Sequence, residues 1–71
     1  MNTKILERLG KNIKHYRKNK DYTQEKLAEK VGVHPTYIGK LESGKNNPSI
    51  MLMYKISKAL NIKLKDLFDF E

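Results

Sequence analysis

The feature that most restricts how this chain can fold is a pair of short apolar segments joined at Gly32. Apolar residues at helical spacing flank the glycine on both sides: Leu27, Ala28, Val31, Ile38 and Leu41. Gly32 stands where the first segment must end, because a glycine adopts a left-handed backbone conformation at little cost and so terminates helices. Ala28 is small enough to lie where two helices cross. The pattern predicts two short helices joined by a tight turn.

The rest of the chain has the same helical periodicity. We expect helices over about residues 3–19, 24–31 and 35–43, a fourth capped by Ser49 and running through Leu60, and a short fifth from Leu64. Thr23 and Ser49 can cap helix starts, and Pro35 suits a first helical position. No segment alternates with period two. The predicted fold class is all-α, a compact five-helix bundle that forms a single domain over residues 1–71.

The spacing of apolar residues also predicts which side of each long helix faces the core. The inward stripe of the first helix is Leu6, Leu9, Ile13 and Tyr16, and that of the fourth helix is Ile50, Met53, Ile56 and Leu60. Both stripes recur at intervals of three and four residues, as one face of a helix requires.

Composition excludes several classes of protein. The chain has no cysteine and only two histidines, which argues against disulfides, a metal site and redox chemistry, and favours an intracellular, cytoplasmic setting. No stretch approaches the roughly 18 apolar residues of a membrane span, so we expect no membrane association. We find no nucleophile–histidine–acid set, no phosphate-binding glycine loop and no paired carboxylates. We therefore expect no enzyme activity, no cofactor and no small-molecule ligand.

The charge balance points instead to a polyanionic partner. The formal net charge is +7, from 15 basic and 8 acidic residues. The first 20 residues alone carry seven of the basic residues, with Glu7 as their one acidic residue. Such a balance attracts nucleic acid or an acidic membrane face, and charge alone does not choose between the two.

Five short stretches, in order, carry a resemblance to a known family: Thr23–Ala28, Val31–Val33, Thr36–Ile38, Leu41–Gly44 and Asn47–Ser49. On these stretches the chain resembles the phage-repressor and Cro-like (XRE-type) helix-turn-helix transcriptional regulators over roughly residues 5–69. The run from Thr36 to Ser49 looks most like the small controller proteins of restriction–modification systems. The resemblance implies a lambda-repressor-like bundle in which helices two and three form the helix-turn-helix.

The resemblance implies that the third helix enters the major groove of double-stranded DNA, where all four base pairs can be told apart. The residues expected to read bases are Pro35, Thr36, Gly39 and Lys40. Lys40 can donate to guanine, and Thr36 offers a hydroxyl or a methyl group. Pro35 departs from the polar residue common at that family position and cannot donate a hydrogen bond, so its contact should be apolar.

A second group of residues is expected to contact phosphates and so to orient the protein without reading sequence. Gln24 begins the second helix, where free amides and the helix dipole favour an anion. In similar proteins this glutamine positions the module on the DNA backbone. The further expected phosphate contacts are His34, Tyr37, Lys45, Asn46 and Asn47.

The same resemblance implies a structural ion pair between an arginine late in helix one and a glutamate late in helix three. These residues are Arg17 and Glu42. We expect the pair to be partly buried and to concern stability rather than recognition.

Excess apolar residues on helix four and near the C-terminus predict a homodimer, because contiguous exposed apolar patches usually mark contact sites. The expected interface residues are Met51, Leu64, Phe68 and Phe70. Two recognition helices about 34 Å apart would then contact half-sites of a near-palindromic operator one turn apart.

The leading hypothesis is therefore a sequence-specific DNA-binding transcriptional regulator, a repressor, an activator or both, with RNA polymerase as a candidate further partner. The rival is an antitoxin-like protein-interaction module that retains a helix-turn-helix but works chiefly by binding a protein. Salt-dependent binding to a defined duplex would favour the first hypothesis.

Overall fold

A computed structural model describes residues 3–70 of the chain, except for the side chain of Thr3. Met1, Asn2 and Glu71, at the ends of the expected domain, lie outside the described residues. It contains five helices: α1 (Thr3–Asn19), α2 (Gln24–Val31), α3 (Pro35–Glu42), α4 (Ile50–Leu60) and α5 (Leu64–Leu67). No strand occurs within residues 3–70. The expected all-α, five-helix architecture is confirmed.

Local chemistry explains where the helices begin and end. The hydroxyl of Thr23 accepts from the backbone N–H of Lys26 at 3.0 Å, and that of Ser49 accepts from Leu52 at 3.1 Å. Each hydroxyl satisfies an amide that the first turn leaves unpaired. Gly32 has φ 88°, in the left-handed region expected for a residue that terminates a helix. The turn between α2 and α3 therefore has the predicted position and chemistry.

The five helices enclose one apolar core. Its fully or nearly fully buried members come from every helix: Leu9, Ile13, Leu27, Ala28, Val31, Ile38, Leu41, Met53, Ile56, Leu60 and Leu67. α3 packs against both α1 and α2, and α4 packs against α2 and α5. The inner side of α3 is thus covered by two helices, which fixes the orientation of its outer side.

The expectation that Ile50 faces the core is wrong. Its side chain is 66% exposed, whereas Met53, Ile56 and Leu60 are buried as predicted. Ile50 lies in the first turn of α4, beside the equally exposed Met51, so this turn lies at the edge of the core. Periodicity identifies a face of a helix, but it does not tell how far along the helix that face is covered.

Gly10 and Asn12 both place α1 close to other parts of the bundle. At Gly10 a Cβ atom would clash with the backbone carbonyl oxygens of Leu41 and Glu42, so only a glycine permits the close approach of α1 to α3. Further along α1, the side-chain amide of Asn12 donates to the carbonyl oxygens of Leu67 and Asp69, both at 2.9 Å. α1 therefore anchors both α3 and the end of the described chain.

Candidate nucleic-acid interface

The outer face of α3 is open to solvent, although its inner face is fully buried. Thr36 and Lys40, four residues apart, are exposed on the side opposite the buried Ile38. Pro35 and Gly39 are half-buried beside them, at the border with α2. All four residues expected to read bases therefore lie on one connected strip, with side chains of three different chemical types.

The side chain of Gln24 lies across this border between α2 and α3. A Cβ atom placed on Gly39 would be 3.5 Å from Oε1 of Gln24, an ordinary van der Waals distance. The side-chain nitrogen Nε2 of Gln24 donates to Oε1 of Glu42 at 3.0 Å. Gln24 itself is exposed. The residue expected to bind phosphate is thus adjacent to the strip on α3, and a hydrogen bond joins it to the buried Glu42 at the end of the same helix.

A shallow notch separates the N-terminal ends of α2 and α3. It is lined by Arg17, Thr23, Gln24, Glu25, Pro35 and Thr36. The first amides of a helix have no partner within the helix, and its dipole places partial positive charge at that end. The notch therefore combines the amide end of α2 with the side-chain amide of Gln24, an arrangement suited to an anionic oxygen.

Arg17 and Glu42 form a bidentate ion pair below this notch. Nε of Arg17 donates to Oε2 of Glu42 at 2.6 Å, and Nη2 donates to Oε1 at 3.1 Å. The third guanidinium nitrogen, Nη1, donates to the carbonyl oxygen of Tyr22 at 2.7 Å. The two residues are only 7% and 8% exposed. The guanidinium therefore joins α1, the α1–α2 turn and α3, and every nitrogen of the buried cation has an acceptor.

His34 and Tyr37, at the edge of the strip, each have a structural contact. Nδ1 of His34 accepts from the backbone N–H of Thr36 at 3.1 Å and caps α3, which leaves Nε2 of the exposed ring for other partners. Tyr37 is half-buried and packs against the core. A phosphate contact by either residue would therefore use only the outer part of its side chain.

The loop between α3 and α4 follows the outer strip directly. Lys45 and Asn47 are exposed and Asn46 is half-buried. The backbone N–H of Lys45 donates to the carbonyl oxygen of Lys40 at 2.9 Å, which holds the loop against the end of α3. The loop thus continues the polar surface of α3 with a positive charge and two amides.

The residues expected at a dimer interface have unequal exposure. Met51 is 62% exposed and Phe68 is 38% exposed. Leu64 and Phe70 are half-buried and pack against the core, and the Phe70 ring meets the Phe68 ring edge to face at 6.4 Å. Tyr54, which belongs to the apolar run of helix four behind the dimer expectation, is 48% exposed.

The hydrogen bond from Gln24 to Glu42 was missed by sequence reasoning. The two residues are 18 positions apart, on different helices, and no local spacing rule links them.

Within residues 3–70 there is no helix long and apolar enough to cross a membrane. The same part of the chain contains no group of three or more side chains suited to hold a metal ion.

A family model described as helix-turn-helix matches residues 13–67, which include α2, α3 and α4 in full. The chain belongs to the helix-turn-helix family. Its relatives include SinR of Bacillus subtilis, an HTH-type transcriptional regulator that has been solved in complex with DNA, and "Control protein C.BamHI" of Bacillus amyloliquefaciens. The control protein is 41% identical over 71 residues, which cover 99% of this chain and 88% of the relative. The expected resemblance to controller proteins is confirmed.

Solved structures agree with this family membership. The restriction–modification controller protein C.AhdI from Aeromonas hydrophila aligns with a TM-score of 0.87 at 33% identity, over 89% of this chain and 96% of that chain. A crystal structure of SinR, the master regulator for biofilm formation, in complex with DNA aligns with a TM-score of 0.81 at 40% identity, over 86% of this chain and 98% of that chain. SinR of Bacillus subtilis as a whole is longer, and the match covers 56% of it.

Proposed function

We propose that this helix-turn-helix regulator binds a near-palindromic operator as a homodimer, with α3 in the major groove of each half-site, and that it acts by occupying DNA beside a promoter. The observation that carries the proposal is the outer strip of α3. Thr36 and Lys40 project from a helix whose opposite side is fixed by α1 and α2. An exposed helix face that is packed from behind by two helices, next to the amide end of α2, has the parts that major-groove recognition needs.

The proposed roles separate into two groups. Pro35, Thr36, Gly39 and Lys40 would face base edges, and Gln24, His34, Tyr37, Lys45, Asn46 and Asn47 would face phosphates. The DNA-bound SinR structure supports DNA binding by this chain, because the likeness extends over 98% of the SinR chain seen with DNA. RNA polymerase remains a candidate contact of the bound dimer, for a regulator that activates as well as represses.

The experiment that tests this proposal is a selection of duplexes from a random pool, followed by binding to the selected duplex at increasing salt. Each phosphate contact releases counterions, so the logarithm of the association constant should fall linearly and steeply with the logarithm of salt concentration. We expect a selected sequence with two inverted half-sites about 10 base pairs apart, centre to centre. Selection of no preferred sequence, with weak binding that disappears at moderate salt, would contradict the proposal.

The rival function is an antitoxin-like module that binds a protein partner. On DNA it differs from the proposal in one measurable respect, because a module that works by binding a protein needs no base discrimination from α3. A scrambled duplex of equal length is the control. Binding that is equal on the selected and scrambled duplexes across the salt series would favour the rival over an operator-binding regulator.

A further inference from the structure

Glu42 connects the buried interior of the bundle to the residue proposed to hold a DNA phosphate. Arg17 donates to both of its carboxylate oxygens, and Oε1 accepts a further hydrogen bond from Nε2 of Gln24. Glu42 and Arg17 are buried, whereas Gln24 is exposed. One carboxylate is therefore shared between an interior cation and a surface amide.

This shared carboxylate restricts how the amide of Gln24 can turn. An ionised carboxylate only accepts hydrogen bonds, so the amide must present its nitrogen to Glu42. Nε2 carries two N–H groups, of which Glu42 uses one. No second hydrogen bond joins this amide to residues 4–70, so the other N–H is available to an outside acceptor such as a phosphate oxygen.

The carboxylate itself has little freedom to move. Arg17 binds it through two nitrogens and is held in turn by the carbonyl oxygen of Tyr22 at 2.7 Å. A paired guanidinium and carboxylate with two parallel hydrogen bonds have a defined relative geometry. The position of Glu42 is therefore fixed from the interior, and the position of the Gln24 amide follows from it.

We propose that Glu42 is a positioning residue for DNA binding, which holds the amide of Gln24 over Gly39 with one N–H directed to a phosphate. This inference rests on the proposed function and assigns a second role to the ion pair. A side chain already held in its bound orientation loses less conformational entropy on binding. Loss of the carboxylate should therefore weaken the contribution of Gln24 to DNA affinity, beyond any effect on stability.

A double-mutant cycle tests the proposal. Gln24→Met removes the amide and keeps the length of the side chain, and Glu42→Gln removes the negative charge and keeps the size. Affinity for the selected duplex is measured by fluorescence anisotropy for the wild type, both single variants and the double variant, at a temperature where circular dichroism shows all four folded. We expect Gln24→Met to lower affinity about tenfold in the wild type and about threefold or less beside Glu42→Gln.

The control separates positioning from stability. Ile56→Val shortens a buried side chain of α4 and lowers the free energy of unfolding without changing the carboxylate. Beside Ile56→Val, the loss caused by Gln24→Met should stay about tenfold. Equal losses in the wild-type and Glu42→Gln backgrounds, or an equal reduction beside Ile56→Val, would overturn the proposal.

A measurement on the wild-type protein covers the case in which Glu42→Gln does not fold. Gln24 is the single glutamine of the chain, so its side-chain amide protons are identified without ambiguity by NMR. We expect the proton that is bonded to Glu42 to exchange with water about threefold more slowly than the side-chain amide protons of the exposed Asn47. Exchange at the rate of Asn47 would overturn the proposal. If the wild type binds no duplex, the proposed function fails as well; if it binds and the cycle shows no coupling, only the role of Glu42 fails.

Discussion

At the scale of single residues, Gly39 differs from the other glycines of the chain. Gly10 is required by the close approach of α3, and Gly32 and Gly44 have φ values of 88° and 77°. Gly39 lies inside α3, and an added Cβ would make only ordinary contacts, 3.5 Å or more, with Gln24. A glycine in a helix interior costs about 0.5–1 kcal/mol relative to alanine. The fold of the monomer therefore does not explain Gly39, whereas a closely approaching DNA surface would.

Gly39→Ala should therefore raise stability and weaken function at once. We expect the free energy of unfolding, from urea melts, to rise by about 0.5–1 kcal/mol. Affinity for the selected duplex should fall, because the new methyl group occupies space next to the bases. Gly10→Ala is the matched control and should lower stability, since its Cβ would clash with the backbone oxygen of Leu41. Unchanged DNA affinity in a stabilised Gly39→Ala protein would contradict a close approach at this position.

Lys40 and Gln24 should differ in the kind of binding that they support. Lys40→Ala is expected to reduce discrimination at one base pair of each half-site by about 1–3 kcal/mol, because a lysine can donate to guanine O6 or N7. Gln24→Ala should weaken binding to all duplexes alike, because a phosphate is present in each. Affinities for a panel of singly substituted operators provide the measurement. Equal losses on every duplex for both variants would show that Lys40 contacts no base.

At the scale of helices, the Arg17–Glu42 pair is the main polar tie between α1 and α3. Removal of either partner leaves a buried charge uncompensated, at a cost of about 3–5 kcal/mol in well-buried cases. Both side chains are nearly fully buried here, so we expect Arg17→Ala and Glu42→Ala to approach that range in urea melts. Lys26→Ala, which breaks the exposed Lys26–Glu29 pair at 3.6 Å, is the control and should cost under about 1 kcal/mol. A cost under about 0.5 kcal/mol for both buried variants would be inconsistent with this role.

The helices themselves could be predicted from the sequence because their determinants are local. Thr23, Gly32 and Ser49 define helix ends through bonds or backbone conformations that involve only neighbouring residues. Features that depend on packing between helices could not be predicted in the same way. The exposure of Ile50 depends on where the core ends, and the bond between Gln24 and Glu42 depends on how α2 crosses α3. The outer strip of α3 was predictable because it is the complement of the buried stripe.

At the scale of the whole molecule, the exposed apolar surface of α4 predicts association. Met51 is 62% exposed, so Met51→Glu should leave the melting temperature of the monomer unchanged while it introduces a charge into the proposed interface. We expect analytical ultracentrifugation at tens of micromolar to show a dimer for the wild type and a monomer for the variant. Ile5→Glu, at a 47% exposed isoleucine of α1, is the control and should remain a dimer. A monomeric wild type, with and without DNA, would remove the interface from the proposal.

Two different surfaces of the molecule, one on α1 and one on α3, are candidates for contact with DNA. Positive charge is concentrated in residues 1–20, mostly on α1, whereas the chemistry of base recognition lies on α3. Long-range attraction depends on net charge, but discrimination between bases requires side chains within a groove. If α3 occupies the groove as proposed, we expect the exposed lysines of α1 to contribute mainly long-range attraction and solubility.

Titration of the ¹⁵N-labelled protein with the selected duplex, followed through backbone amide resonances, distinguishes these two surfaces directly. We expect the largest shifts at Gln24, at residues 34–40 and at residues 45–47, with small shifts along residues 4–14. Shifts concentrated on residues 4–14, with α3 unaffected, would contradict the entry of α3 into the major groove.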